Sequence, residues 1–178
     1  MTPFETALSF TLHWEGGYVD NPADPGGATN EGVTQATYDR FRVSRGELNQ
    51  SVELISDDEV AAIYSQMYWL LGHCQDLPLK LAVCHFDWCV NHGVSGAIKT
   101  LQVALGVNSD GIFGAGTTAA VQRMVDTKDE PDTIKAYLQL RRVRYQSIAQ
   151  VNPAMMQFLK GWLSRVNDLQ SYLSGLGD

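Results

Sequence analysis

Apolar residues recur at helical spacing along most of the chain. Phe4, Leu8 and Leu12, with Ala7 and Thr11, form one stripe that runs up to His13-Trp14. Thr2, Pro3 and Glu5 supply a cap, a first-turn proline and the second half of a capping box, so a helix is predicted from residue 3. Gly16-Gly17 stops it. From Gly16 to Gly32 the periodicity disappears among glycines, prolines and Asn/Asp residues, which predicts a tight loop or a small irregular β-hairpin. Thr34 caps a second predicted helix to about Arg45, and residues 46–55 read as a loop. Ser56-Asp57-Asp58-Glu59 is another capping box, opening an amphipathic helix with Val60, Ile63, Tyr64, Met67 and Leu71 on its apolar side.

Leu77-Pro78 opens a different kind of helix. Leu81, Val83, Cys84, Trp88 and Val90 make it apolar on nearly all sides, the mark of a core helix, and Gly93 ends it. Further helices are predicted over about 96–105, 117–126 and 131–149, with a turn-rich connector from Gly106 to Gly116. A last one starts at Pro153 and reaches Tyr172, with a bend expected near Gly161. Sustained alternation and solenoid-length repeats are both absent. The fold class is mostly α, with a minor β element after the first helix.

Composition narrows the function more than the fold. At 178 residues the chain has room for one domain, or two small ones sharing a core. Three cysteines, an odd number, argue against a disulfide framework and for synthesis in a reducing compartment. No apolar run approaches the ~18–20 residues needed to span a bilayer, and no signal peptide is visible, so no membrane insertion is expected. The net charge of −7 counts against a nucleic-acid binder. It is unevenly spread: residues 1–94 carry 4 Lys+Arg against 13 Asp+Glu, and residues 95–178 carry 9 against 7.

The candidate chemistry lies in the first glycine-rich loop. Glu15 sits where the first helix gives way to it, with Asp24 nine positions later and Thr29 five after that. A carboxyl beside Trp14, partly desolvated, would stay protonated, while one in a polar loop would stay ionised. Two carboxyls differentiated in this way suit glycosidic cleavage, one as acid and one as base or nucleophile, with Thr29 able to hold a water. The alternative is structural: Glu15 as a solvated helix end and Asp24 as a turn residue beside Pro25-Gly26-Gly27.

The run Trp14-Glu15-Gly16-Gly17-Tyr18, followed by Pro22, Asp24, Gly26-Gly27, Thr29 and Gly32, resembles the signature of glycoside hydrolase family 108, lysozyme-like N-acetylmuramidases that include phage endolysins and bacterial secretion activators. Tyr68-Trp69 and Phe86-Asp87-Trp88 through Val90-Asn91 and Gly93 resemble its second helical block. From about Leu101, the segments Leu101-Gln102, Leu105-Gly106, Asp110-Gly111, Gly114, Thr117, Phe158-Leu159, Gly161-Trp162-Leu163 and Arg165-Val166 resemble its predicted peptidoglycan-binding region. The resemblance implies a lysozyme-like helical fold. It divides the chain into a catalytic segment, 1–94, and a peptidoglycan-binding-like segment, 95–178, packed as one compact unit. It also implies that Glu15 is the catalytic acid, with Asp24 and Thr29 positioning water. Asp24 to Thr29 has four intervening residues rather than the five of phage-type lysozymes, a departure that bears on Thr29.

The resulting expectation is an inverting N-acetylmuramidase, without cofactor or metal, that cleaves the β-1,4 bond between N-acetylmuramic acid and N-acetylglucosamine. It would be a monomer made in the bacterial cytoplasm that reaches the cell wall as an endolysin through a holin-type lesion. The alternatives are a bacterial autolysin supporting toxin secretion and a non-catalytic peptidoglycan-binding protein. Tyr18, Asp87 and Asn91 are candidate saccharide contacts; otherwise Tyr18 packs under the loop, and Asp87 and Asn91 tie loops to the core. His85, Cys89 and His92 share one helix face, with Cys74 and Cys84 nearby, a spacing open to zinc, although small core cysteines and packing histidines account for it as well. Arg141, Arg142 and Arg144 with Lys135 form a basic stretch, read as a solvated helix face or as a contact for an anionic polymer.

Overall fold

The computed structural model describes residues 1–20 and 27–177. Helix α1 (Pro3–Trp14) is followed by a hairpin of β1 (Thr29–Asn30) and β2 (Val33–Thr34). Then come α2 (Gln35–Ser44), α3 (Asp57–Tyr64), α4 (Leu79–His92), α5 (Val94–Ala104), α6 (Ala115–Thr127), α7 (Glu130–Val151) and α8 (Met156–Gly175). Both capping boxes form: the Thr2 and Ser56 side chains accept from the amides of Glu5 and Glu59, whose carboxylates bond back to the cap amides. In the hairpin Glu31 (φ 47°) and Gly32 (φ 76°) are both left-handed, the requirement of a two-residue turn matched to strand twist.

Two expectations about helices need correction. The helix opened by Ser56 does not continue as an α-helix to Leu71; after Tyr64 it widens into a π-helical turn, Ser65–Trp69. The wider turn shifts every following side chain around the axis. Met67 and Leu71, expected on the buried stripe, are exposed, and Trp69 enters the core in their place. At the other end, Pro153–Met155 form a short 3-10 turn, after which α8 runs unbroken through Gly161 to Gly175.

Helix α4 is the core element that the sequence predicts. Leu81 through Cys89 are all buried, and the helix packs against α1, α5, α7 and α8. A position buried on every side cannot hold a charge without partners of opposite sign. Asp87 sits there nevertheless, completely buried.

Candidate active site

Glu15 caps the C-terminus of α1 with extended backbone (φ −82°, ψ 144°), its amide donating to the Leu12 carbonyl at 3.1 Å. The C-terminal end of a helix carries partial negative charge, so a carboxylate there needs a cation nearby. Arg165 of α8 supplies it, with Nη1 3.0 Å from Glu15 Oε1. The carboxyl is partly open, its side chain 22% exposed. The apolar setting expected from Trp14 is therefore not what surrounds it; a guanidinium and a tyrosine hydroxyl do.

Arg165 is held in turn from behind. Its Nε and Nη2 donate to Asp87 Oδ1 at 3.0 and 2.6 Å, and Arg141 Nη2 donates to Asp87 Oδ2 at 2.6 Å. Thr11 of α1 adds a longer contact to Oδ1, 3.4 Å. Burial works to raise the Asp87 pKa, but the two guanidiniums more than offset it and hold the carboxyl below the usual aspartate range. Arg165 stays charged because Asp87 and Glu15 together outweigh its own burial. A chain of fixed charges thus runs from the core, Arg141–Asp87–Arg165, out to Glu15. Asp87 has no exposed surface and both its oxygens are used, so the expectation that it touches saccharide is corrected: it positions. Arg141, read from sequence within a basic surface stretch, is likewise completely buried, its guanidinium carbon 4.7 Å from the Trp88 ring centroid.

The hairpin closes the other side. A Cβ at Gly32 would overlap the Tyr64 hydroxyl and come within 3.2 Å of Glu15 Oε2. Tyr64 donates to the Glu31 carbonyl at 2.9 Å; burial first, then the nearby Glu15 carboxylate, raises its hydroxyl pKa, so it remains a neutral donor. Tyr68, half-buried, is pushed in the same direction by burial and by Glu15. Gly32→Ala therefore meets a positive φ and a clash together. It is expected to destabilise the protein by about 1–3 kcal/mol in urea unfolding. Wild-type stability in that variant would mean that the hairpin does not press on Glu15.

Asp24 lies outside the described residues. Thr29 starts β1 and exchanges both backbone hydrogen bonds with Val19 (2.8 and 2.9 Å), which ties it to the chain leaving Glu15; its hydroxyl donates to the Gly27 carbonyl at 3.4 Å. Tyr18 is exposed, close enough to Asp20 and Glu53 to feel both charges. Asn91 is exposed one turn beyond Asp87, its amide donating back to the Asp87 carbonyl at 2.8 Å. Of the zinc-spaced residues, His92 turns away and stacks on Trp88, whereas Cys74, His85 and Cys89 meet with ligand atoms within 4.8 Å. The His85 ring nitrogens are 2.8 Å from the Tyr137 hydroxyl and 2.9 Å from the Gly72 carbonyl, a pairing that a neutral ring satisfies.

Comparison with protein families places this site in context. The model described as Glycosyl hydrolase 108 matches residues 8–93, and the one described as Predicted Peptidoglycan domain matches residues 96–167. A solved structure of SagA from Brucella abortus is similar, with 33% identity and a TM-score of 0.70 over 96% of this chain and 92% of that one. The chain belongs to the glycosyl hydrolase 108 family. Comparison with curated proteins gives no match. The mostly helical, lysozyme-like fold expected from the sequence, with a hairpin after the first helix, is the one found. This member of the glycosyl hydrolase 108 family is a peptidoglycan hydrolase of the lysozyme type. Its Glu15 and Asp87 fall in the first matched segment, and Arg141 and Arg165 in the second.

Proposed function

We propose that this hydrolase is an N-acetylmuramidase in which Glu15 is the general acid. The single observation that supports this most is the partly open Glu15 carboxyl, fixed on one oxygen by Arg165 and flanked on the other by Gly32 and Tyr64. Restraint of that kind keeps a proton donor aimed at one place, the geometric condition for general acid catalysis. Glu15, carrying a proton on Oε2, the oxygen that Arg165 does not hold, passes it to the bridging oxygen as the bond to the leaving sugar breaks. Asp24, ionised, takes a proton from the attacking water, and Thr29 holds that water. Tyr18 and Asn91, both exposed, contact the saccharide. Water attacking from the face opposite the leaving group inverts the anomeric centre, which calls for carboxyls about 6.5–9.5 Å apart.

In the cell, the proposal is an endolysin acting as a monomer on the wall after a holin-type lesion releases it. Among the described residues no helix is long and apolar enough to cross a membrane. The test is a digest of purified peptidoglycan, borohydride-reduced and analysed by mass spectrometry, with NMR of the first-formed anomer. Reduced N-acetylmuramic acid ends and an α product are expected. Reduced N-acetylglucosamine ends, an anhydro product or a retained β anomer would each overturn the corresponding part.

A further inference from the structure

Helix α8 carries more than Arg165. Phe158, Trp162, Arg165 and Leu169 follow one another at helical spacing and share one face. Leu169 and Arg165 are buried, but towards the N-terminus of α8 this face emerges from the core: Trp162 is half-buried, and Phe158 is 48% exposed. The exposed ring is not loose. It lies over Trp162, with centroids 6.0 Å apart and planes 29° from parallel. Trp162 stacks on Tyr145 of α7 at 5.0 Å, and Tyr145 meets Trp88 of the core helix edge-on at 5.2 Å. A ladder of four aromatic rings thus rises from α4 and ends in an open phenyl face.

The seven steps from Phe158 to Arg165 span about 10 Å of helix axis, of the order of a disaccharide. The Arg165 guanidinium touches Glu15. The ladder top and the cation that holds the proposed acid therefore lie on one rigid element, α8. Residues 133–167, which include Phe158 and Arg165, contain six Lys or Arg and no Asp or Glu; Arg141 and Arg165 are buried against Asp87 and Glu15, which leaves Lys135, Arg142, Arg144 and Lys160.

We infer that Phe158, backed by Trp162, is a stacking platform for a sugar ring of the peptidoglycan strand, in a subsite continuous with Glu15. The inference rests on the hydrolase reading above and adds a specific contact to it. The flat C–H face of a pyranose covers an aromatic ring well, and a ring already stacked from behind loses little freedom on binding. Arg144 and Lys160 are exposed on the two helices that carry the ladder, and no Asp or Glu lies between positions 133 and 167 of those helices to repel a strand that carries the carboxylates of its stem peptides. The segment matched by the peptidoglycan-domain model thus serves as one wall of the catalytic site through these two side chains.

The test compares wild type with Phe158→Ala and Phe158→Tyr on a soluble hexasaccharide of alternating N-acetylglucosamine and N-acetylmuramic acid, with melting temperatures measured for all three. Phe158→Ala is expected to raise KM about five- to tenfold while kcat falls less than twofold; Phe158→Tyr should keep the wild-type KM. An unchanged KM in Phe158→Ala, with wild type active, overturns the platform and leaves the hydrolase intact. A kcat loss without a KM change, or conversion of a wild-type dimer to a monomer, also overturns it, the latter by assigning the ring to self-association. An inactive wild type would instead overturn the reading of the reaction itself.

Discussion

Glu15→Gln is expected to lose about three orders of magnitude in kcat on peptidoglycan, within the ~10²–10⁴ that a positioned general acid contributes. The substitution keeps the shape and leaves an amide oxygen to accept from Arg165 Nη1, now 3.0 Å from the carboxylate. What disappears is the proton. Because the glutamine still accepts from Arg165 and Arg165 keeps Asp87 as its counter-ion, the melting temperature should barely move. Reducing-end release from purified walls, measured beside thermal unfolding, checks both halves. Wild-type turnover in the variant would return Glu15 to the alternative, a helix-end carboxylate with no chemical task. Loss of wall binding along with activity would make it a binding residue instead.

Asp87→Asn should have the largest effect on stability. The amide preserves shape but leaves Arg141, completely buried, and Arg165, nearly so, without their anion. Breaking a buried ion pair from one side costs about 3–5 kcal/mol, read here as the wild-type minus variant difference in urea unfolding at neutral pH. The sign with pH follows from the lowered carboxyl. The contribution of Asp87 is fully present above its ordinary unfolded value of about 3.9, and it is lost as pH falls towards the lower folded value. The gap between wild type and variant should therefore be constant at neutral pH and narrow in acid. Arg142→Ala is the control: its guanidinium bridges Asn167 and Gln170 on the surface, so a change of about 0.5 kcal/mol is expected. An Asp87→Asn cost as small as the control's would mean that the buried charges are not what anchors Arg165.

The division between what was legible in the sequence and what was not follows from the range of the interactions. Helix starts are local: Thr2 with Glu5, and Ser56 with Glu59, close their boxes within three residues, so they can be read from the sequence. The all-round apolar pattern of α4 identified the core helix for the same reason. The π-helical turn at Ser65–Trp69 was hidden, since its cause is tertiary: it brings Trp69 against Phe4 and Phe86 at 5.5 and 5.7 Å. In the site, Glu15 was visible from its neighbours, but its partner Arg165 lies 150 positions away. One signal was available. An aspartate inside a helix apolar on every side demands cations, and the long helix that follows offered Arg141. Charge runs along a sequence hide such a residue, because Arg141 faces inward while Arg142 and Arg144 beside it do not.

Proton delivery itself can be isolated by changing the leaving group. From an aryl glycoside of the N-acetylglucosamine–N-acetylmuramic acid disaccharide, a dinitrophenolate leaving group departs without needing a proton. Glu15→Gln, crippled on peptidoglycan, should hydrolyse this activated substrate within about tenfold of the wild-type rate. An equally deep loss on both substrates would contradict the assignment of Glu15 as the acid.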